Sequence, residues 1–328
     1  MNKMKLIGII SLVFLLTFVT ACGSVSDSGS KGGSKKAEPK EGVEIKHDGG
    51  TTKVPKNPKK VVALEYSFVD ALVALGVKPV GIADDGKKEN IIEPLRDKVG
   101  DYKSVGSRKQ PNIEVISETK PDLIIADSNR HKNVYKELNK IAPTIMLPSL
   151  DSGYKQNLEA FKTIGKALSK EDKAEQRLKD HKAKIDKLKK QITMDKEKTV
   201  LPGTVTESGV YAHSDKSYVG EFLRELGFKE ALNKDVSDKL PEYLNSPYLQ
   251  MNSEQLSEVN PKRMFLMVKG EDDPALKKME QDKVWKRLDA VQNDNVHTVD
   301  RQTWSKFRGL ISSEEIAKEL VEISKKEK

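Results

Sequence analysis

Cysteine is almost missing from this 328-residue chain: there is one, Cys22, so no disulfide can close within it. Aromatic residues make up only 5% of the chain, which makes the few that fall outside helical patterns worth following. Arginine is also scarce, nine against 49 lysines, although the formal net charge is +8. Zinc spacing and aromatic–basic interleaving are both lacking, which argues against nucleic acid as a partner. A bare Zn²⁺ or Mn²⁺ site wants several histidines and carboxylates converging, and the five histidines are scattered. Gly-rich phosphate loop, G-x-S-x-G elbow and H-E-x-x-H pair are absent too, so catalysis has little support.

The start of the chain does have a pattern. Lys3 and Lys5 precede an apolar run from Leu6 to Val19, too short to span a bilayer comfortably, and Thr20-Ala21-Cys22 follow. This order is that of a signal peptide over 1–21, and a cysteine just after the cut resembles a bacterial lipobox, with Cys22 as the lipidated new N-terminus. Residues 22–42 are rich in Gly, Ser, Lys and Glu and cannot bury a core, so they read as a flexible tether. The expected place is the outer face of the cell membrane.

Between Pro148 and Pro202 lies a proline-free, lysine-rich run whose apolar residues keep helical spacing from Leu158 to Ile192. One helix over 153–195 is expected, and the roughly 39 residues from Tyr154 to Ile192 would extend about 55 Å. Such a helix is either a coiled coil or a strut between two domains. His181 and Glu171 interrupt both candidate heptad seams. A repeat across the run favours the strut: Asn112, Glu114, Ser117, Glu118 and Pro121 match Asn252, Glu254, Ser257, Glu258 and Pro261 without a gap. Leu75-Gly76 echoes Leu226-Gly227, each closing a helical segment with a C-terminal glycine. The reading is α/β, with two Rossmann-like lobes over 43–152 and 196–328 and a ligand cleft between them.

Open α/β sheets bind ligands outside the carboxyl ends of their strands. Arg108, Arg130, Arg301 and Arg308 fall in such loops, four of the nine arginines, with Lys87, Lys88, His131, His213 and Lys306. Guanidinium forks pair bidentately with carboxylates where lysine offers a point charge. Tyr243 and Tyr248 add phenols from a stretch over 234–251 that reads as a loop. The site described is a cationic cleft, which would repel a free metal ion but suits a metal already wrapped in an anionic chelator.

The lipobox, the Leu75-Gly76-Val77-Lys78-Pro79 segment, the Pro111-Asn112-Ile113-Glu114 to Pro121-Asp122-Leu123-Ile124 motif and the long helix resemble the iron–siderophore binding lipoproteins of ABC importers, over nearly the whole mature chain. The resemblance implies a monomeric binding protein, not an enzyme, with no cofactor and no metal ligated directly. Its partners would be the ABC permease with its ATPase, the membrane through the lipid anchor, and an Fe(III) chelate. The ligand residues implied are Arg108, Arg130, His213, Tyr243, Tyr248, Arg301, Lys306 and Arg308, with Glu114 and Glu254 docking on the permease. The branch resembled takes ferric citrate and staphyloferrin A. Lys306 stands where the staphyloferrin A pattern has arginine, and Glu207 where it has lysine, which favours ferric citrate. Staphyloferrin A or another carboxylate siderophore is the alternative; a surface hydrolase using His213 as base and a free-metal binder are the more distant ones.

Overall fold

The computed structural model describes residues 42–232, 236, 246–270 and 272–327. The signal peptide, Cys22, the tether before Gly42 and Tyr243 lie outside the described residues. The chain enters as a hairpin, β1 (Gly42–His47) and β2 (Gly50–Pro55), turning at Asp48-Gly49. The first lobe then alternates β3 (Val61–Ala63), α1 (Tyr66–Ala74), β4 (Gly81–Ile82), α2 (Glu93–Val99), β5 (Lys103–Ser104), α3 (Ile113–Glu118), β6 (Leu123–Asp127), α4 (Tyr135–Ile141) and β7 (Thr144–Leu147). Its strands are all parallel, in the order β5-β4-β3-β6-β7. Every residue of β3, β6 and β7 is buried, as expected for strands covered on both faces.

After helices α5 (Tyr154–Ala167) and α6 (Glu171–Gln191), the second lobe comprises β8 (Val200–Thr206), β9 (Gly209–His213), α7 (Tyr218–Glu225), β10 (Tyr248–Met251), α8 (Ser253–Val259), β11 (Arg263–Val268), α9 (Pro274–Glu280), α10 (Asp289–Gln292) and β12 (Val296–Asp300). A π-helical turn, Gln302–Lys306, leads into α11 (Leu310–Lys326). The sheet order is β10-β9-β8-β11-β12, with β8, β11 and β12 parallel and β9 and β10 antiparallel. The stretch expected to be loop over 234–251 therefore ends in an edge strand, its backbone satisfied by β9 through the pair Tyr248↔His213.

The repeat has a structural counterpart. Asn112 and Asn252 cap α3 and α8 by accepting from Val115 N at 3.1 Å and Gln255 N at 2.9 Å. Each helix is followed by the strand, β6 or β11, that pairs with its lobe's first parallel strand. Gly76 and Gly227 hold positive φ of 69° and 97°, and each closes its helix with a six-to-one bond, Val77 N to Leu72 O and Phe228 N to Leu223 O.

The long helix is divided. Ser169 adopts φ 54°, and Lys170 N returns to Gly165 O at 2.8 Å, so the chain reverses between α5 and α6. A Cβ on Gly165 would run into the Ala174 side chain, and glycine is what lets the two helices meet there. The reversal changes the strut's construction. Tyr154 at the start of α5 joins the second-lobe core, whereas Phe161 and Ile164 near its end join the first. Ala174 early in α6 lies in the first core, and Ile185 lies in the second. The C-terminal α11 repeats the crossing, from Leu310 in the first core to Ile316 and Leu320 in the second. The link is thus a bundle of three helices rather than one rod.

Candidate functional site

The strand order of the first sheet switches between β3 and β6: β3 leads to β4 and β5 on one side, β6 to β7 on the other. That is where a crevice opens. Glu65 follows β3 and Arg130 follows β6. The Glu65 carboxylate is fully buried, and three guanidiniums converge on it. Arg130 Nε lies 2.7 Å from Oε1, Arg308 Nη2 lies 2.9 Å from Oε2, and Arg108 Nη1 lies 3.5 Å from Oε2. The Arg130 contact is an ion pair without hydrogen-bond alignment.

Arg108 and Arg308 are held by further partners. Arg108 donates from Nε and Nη2 to Asp85 Oδ2 at 3.1 and 2.8 Å, and its guanidinium lies 4.4 Å from the centre of the Tyr66 ring. Arg308 comes from the second-lobe side with φ 43°, a backbone state that costs a non-glycine residue on the order of 1 kcal/mol or more. It donates to Ser305 O at 2.8 Å and to Ser149 Oγ at 3.2 Å, and so ties the two lobes together at the floor of the cleft. His131 is committed as well: Nδ1 accepts from Asp127 N at 2.8 Å, leaving Nε2–H to donate to Arg108 O at 2.8 Å. It positions Arg108 and has no nitrogen left for a metal.

The remaining cations lie around this core. Burial, then Arg108 and Arg301, push the Lys306 ammonium down to about 8. Arg301 is half-buried, its Nε has no partner, and burial lowers its pKa against the pull of Asp273. His213 ends β9 with Nε2 3.2 Å from Thr204 Oγ1, and burial with Arg308 and Arg301 pushes it down to about 3, so it is neutral at physiological pH. It follows an antiparallel strand, not the carboxyl end of a parallel one. Tyr248 packs edge-on against His213 at 4.9 Å and donates its hydroxyl to Leu150 O at 2.7 Å in the opposite lobe. Among the described residues no three His, Cys, Asp or Glu side chains are grouped to hold a metal ion.

The structure therefore brings Arg108, Arg130, Arg301, Lys306 and Arg308 into one electrostatic cluster, with His213 and Tyr248 beside it. Arg108 and Arg308 are nearly enclosed, with 8% and 3% of their side chains exposed, whereas Arg130 keeps 20%. Lys88 stands at the edge, 5.2 Å over the Tyr102 ring, and Glu207 is at the exposed tip of the β8–β9 hairpin. Glu114 and Glu254 are exposed in the first turns of α3 and α8, one on each lobe. Sequence reasoning missed Glu65 and Asp85. Glu65 occupies the same strand-end position as the arginines, but as an anion it carries none of the charge that marks them.

A family model described as periplasmic binding protein matches residues 61–303. The Fe(3+)-citrate-binding protein YfmC of Bacillus subtilis is 41% identical over 97% of this chain and 96% of its own length. The putative ABC transporter substrate-binding lipoprotein YhfQ of the same organism is 37% identical, covering 97% of each chain. Among solved structures, Staphylococcus aureus SirA complexed with staphyloferrin B aligns with a TM-score of 0.73 and 32% identity, over 85% of this chain and 97% of that one.

Proposed function

This chain belongs to the periplasmic binding protein family, and on that premise we propose that it captures an anionic Fe(III)–carboxylate chelate, ferric citrate first, and delivers it to the permease of an ABC importer. It binds and releases its ligand without making or breaking a bond. The observation that carries the reading is the convergence of guanidiniums at the crevice: Arg108, Arg130 and Arg308 range round Glu65, with Arg301 and Lys306 beside them. Carboxylates wrapped round the metal present oxygens outward, and guanidinium forks match them in pairs. The iron is cargo, held by its chelator and not by protein atoms. The relative named for Fe(3+)-citrate supports this choice over staphyloferrin A or another carboxylate siderophore.

Delivery follows from the paired helix starts. Glu114 and Glu254 stand exposed in equivalent positions on the two lobes, suited to cationic side chains of a permease. Cys22 is the proposed lipid anchor on the outer face of the membrane, with the monomer as the working unit; the lipoprotein relative supports that placement.

Tryptophan fluorescence gives the test. Trp304 is fully buried in the π-helical turn between Arg301 and Lys306, where it reports on the site. Ferric citrate should quench it saturably, while iron-free citrate and a neutral hydroxamate chelate should not. A tighter response to staphyloferrin A would replace ferric citrate as the ligand, and silence toward every ferric chelate would overturn the assignment.

The affinity should also depend on pH through Lys306. Its ammonium is half-titrated at about 8 and predominates below that pH, and a bound polyanion favours that form. Binding should take up a proton near that pH and weaken as pH rises through it, by at most about tenfold per pH unit for one linked proton. Lys306→Arg should abolish this dependence, and an unchanged profile in that variant would assign the proton elsewhere.

A further inference from the structure

We propose that Glu65 is a specificity-determining residue: its carboxylate fills the innermost carboxylate seat of the cleft, orients the three guanidiniums around it, and shuts simple carboxylates out. This rests on reading the cleft as a carboxylate site and goes beyond it. Glu65 precedes α1 in extended conformation but makes no side-chain hydrogen bond to that helix. Its carboxylate instead reaches Arg130 at 2.7 Å, Arg308 at 2.9 Å and Arg108 at 3.5 Å, with 0% of the residue exposed. These arginines come from three separate places in the chain, and like charges brought together out of water repel strongly. One central anion turns that repulsion into a fixed fan of donors. The same anion already accepts from Arg308 Nη2 and Arg108 Nη1, the two most enclosed guanidiniums. A small monocarboxylate entering the cleft finds the inner seat taken and only scattered outer cations left. A chelate carrying several carboxylates can span the outer positions, Arg130, Arg301 and Lys306, together. Glu65 thereby discriminates by breadth of charge rather than by charge alone.

Chemical rescue tests whether the inner seat is one for a small carboxylate that Glu65 keeps closed. Glu65→Ala and Glu65→Gly, which empty the seat, should melt lower than the parent protein, and formate should raise their melting points while leaving the parent unmoved. At tenfold its dissociation constant formate should add roughly 2–3 °C to a protein of this size. Formamide, the neutral isostere, should do nothing. If the variants do not fold alone, refolding in formate should recover them. Equal response of parent and variants to formate, or no recovery with it, overturns the proposal. Formate rescue in variants whose parent ignores ferric citrate upholds the role of Glu65 and removes the substrate. Ferric citrate binding without formate rescue overturns the role of Glu65 alone.

Discussion

Replacing Arg130 by alanine should weaken ferric citrate binding by about 30-fold to a few thousandfold, the roughly 2–5 kcal/mol lost when the side chain that pairs with a bound ligand's charge is truncated. Arg130 is the most accessible of the three guanidiniums on Glu65, with 20% of its side chain exposed against 8% for Arg108 and 3% for Arg308. Two losses add. The chelate loses a planar fork, and Glu65 loses the cation at 2.7 Å that offsets its repulsion of an incoming anion. Arg130→Lys keeps the charge but not the fork, and should recover only part of the affinity. Titration calorimetry at fixed ionic strength measures both. An Arg130→Ala protein binding within about threefold of the parent would remove the arginine fan from the ligand site.

Glu314→Gln should cost about 1.5–3 kcal/mol of stability, because the buried carboxylate accepts charge-assisted hydrogen bonds from Arg177 and Lys184, whose far sides reach solvent. Glu314 lies on α11 with 5% of its side chain exposed, accepting from Arg177 at 2.6 Å and Lys184 at 2.6 Å. His181 Nδ1 adds a third donor at 2.8 Å, and the Tyr154 hydroxyl meets His181 Nε2 at 2.6 Å. One carboxylate thus binds α5, α6 and α11 to each other. Burial by itself would raise its pKa, but hydrogen bonds from His181, Lys184 and Arg177 bring it down to about 2. A carboxyl depressed in the folded state stabilises above its unfolded value, near 4.5, and that stability is lost as pH falls toward 2. Asp70 works in the opposite sense. Burial raises it to about 6, so its protonation favours the folded state as pH falls from about 6 toward 4. The melting temperature should therefore hold or rise from pH 7 to about 5 and drop below about 4.5. Glu314→Gln should melt low throughout and lack much of the acid drop. Denaturant unfolding across this range checks it, and a variant as stable as its parent refutes it.

What could be read from the sequence was what is decided locally. Asn112 and Asn252 cap their helices through atoms three residues away, and Gly76 and Gly227 close theirs through bonds five residues long, so the two-lobe repeat showed in short windows. The arginines were legible because a scarce residue gathered at strand ends. Glu65 shares their strand-end position, but its role was not legible, since the arginines that meet it lie 43, 65 and 243 positions away. The break at Ser169 was passed over because apolar spacing runs on through it. The available cue was the acidic pair Glu171-Asp172, which falls in the first turn of α6. His181, which interrupted the apolar seam and counted against a coiled coil, is the residue that joins the seam to its neighbours.

The out-and-back course of α5 and α6, with α11 crossing beside them, also restricts how such proteins can diversify. Neither core belongs to a contiguous piece of chain: Leu310 completes the first, and Tyr154 completes the second. Recombination that exchanged one lobe between relatives at the lobe boundary would splice half of each core onto a stranger. Viable chimaeras must carry the three crossing helices as a set, so new ligand preferences in this architecture are more readily reached by changing the loop residues around Glu65 than by shuffling lobes.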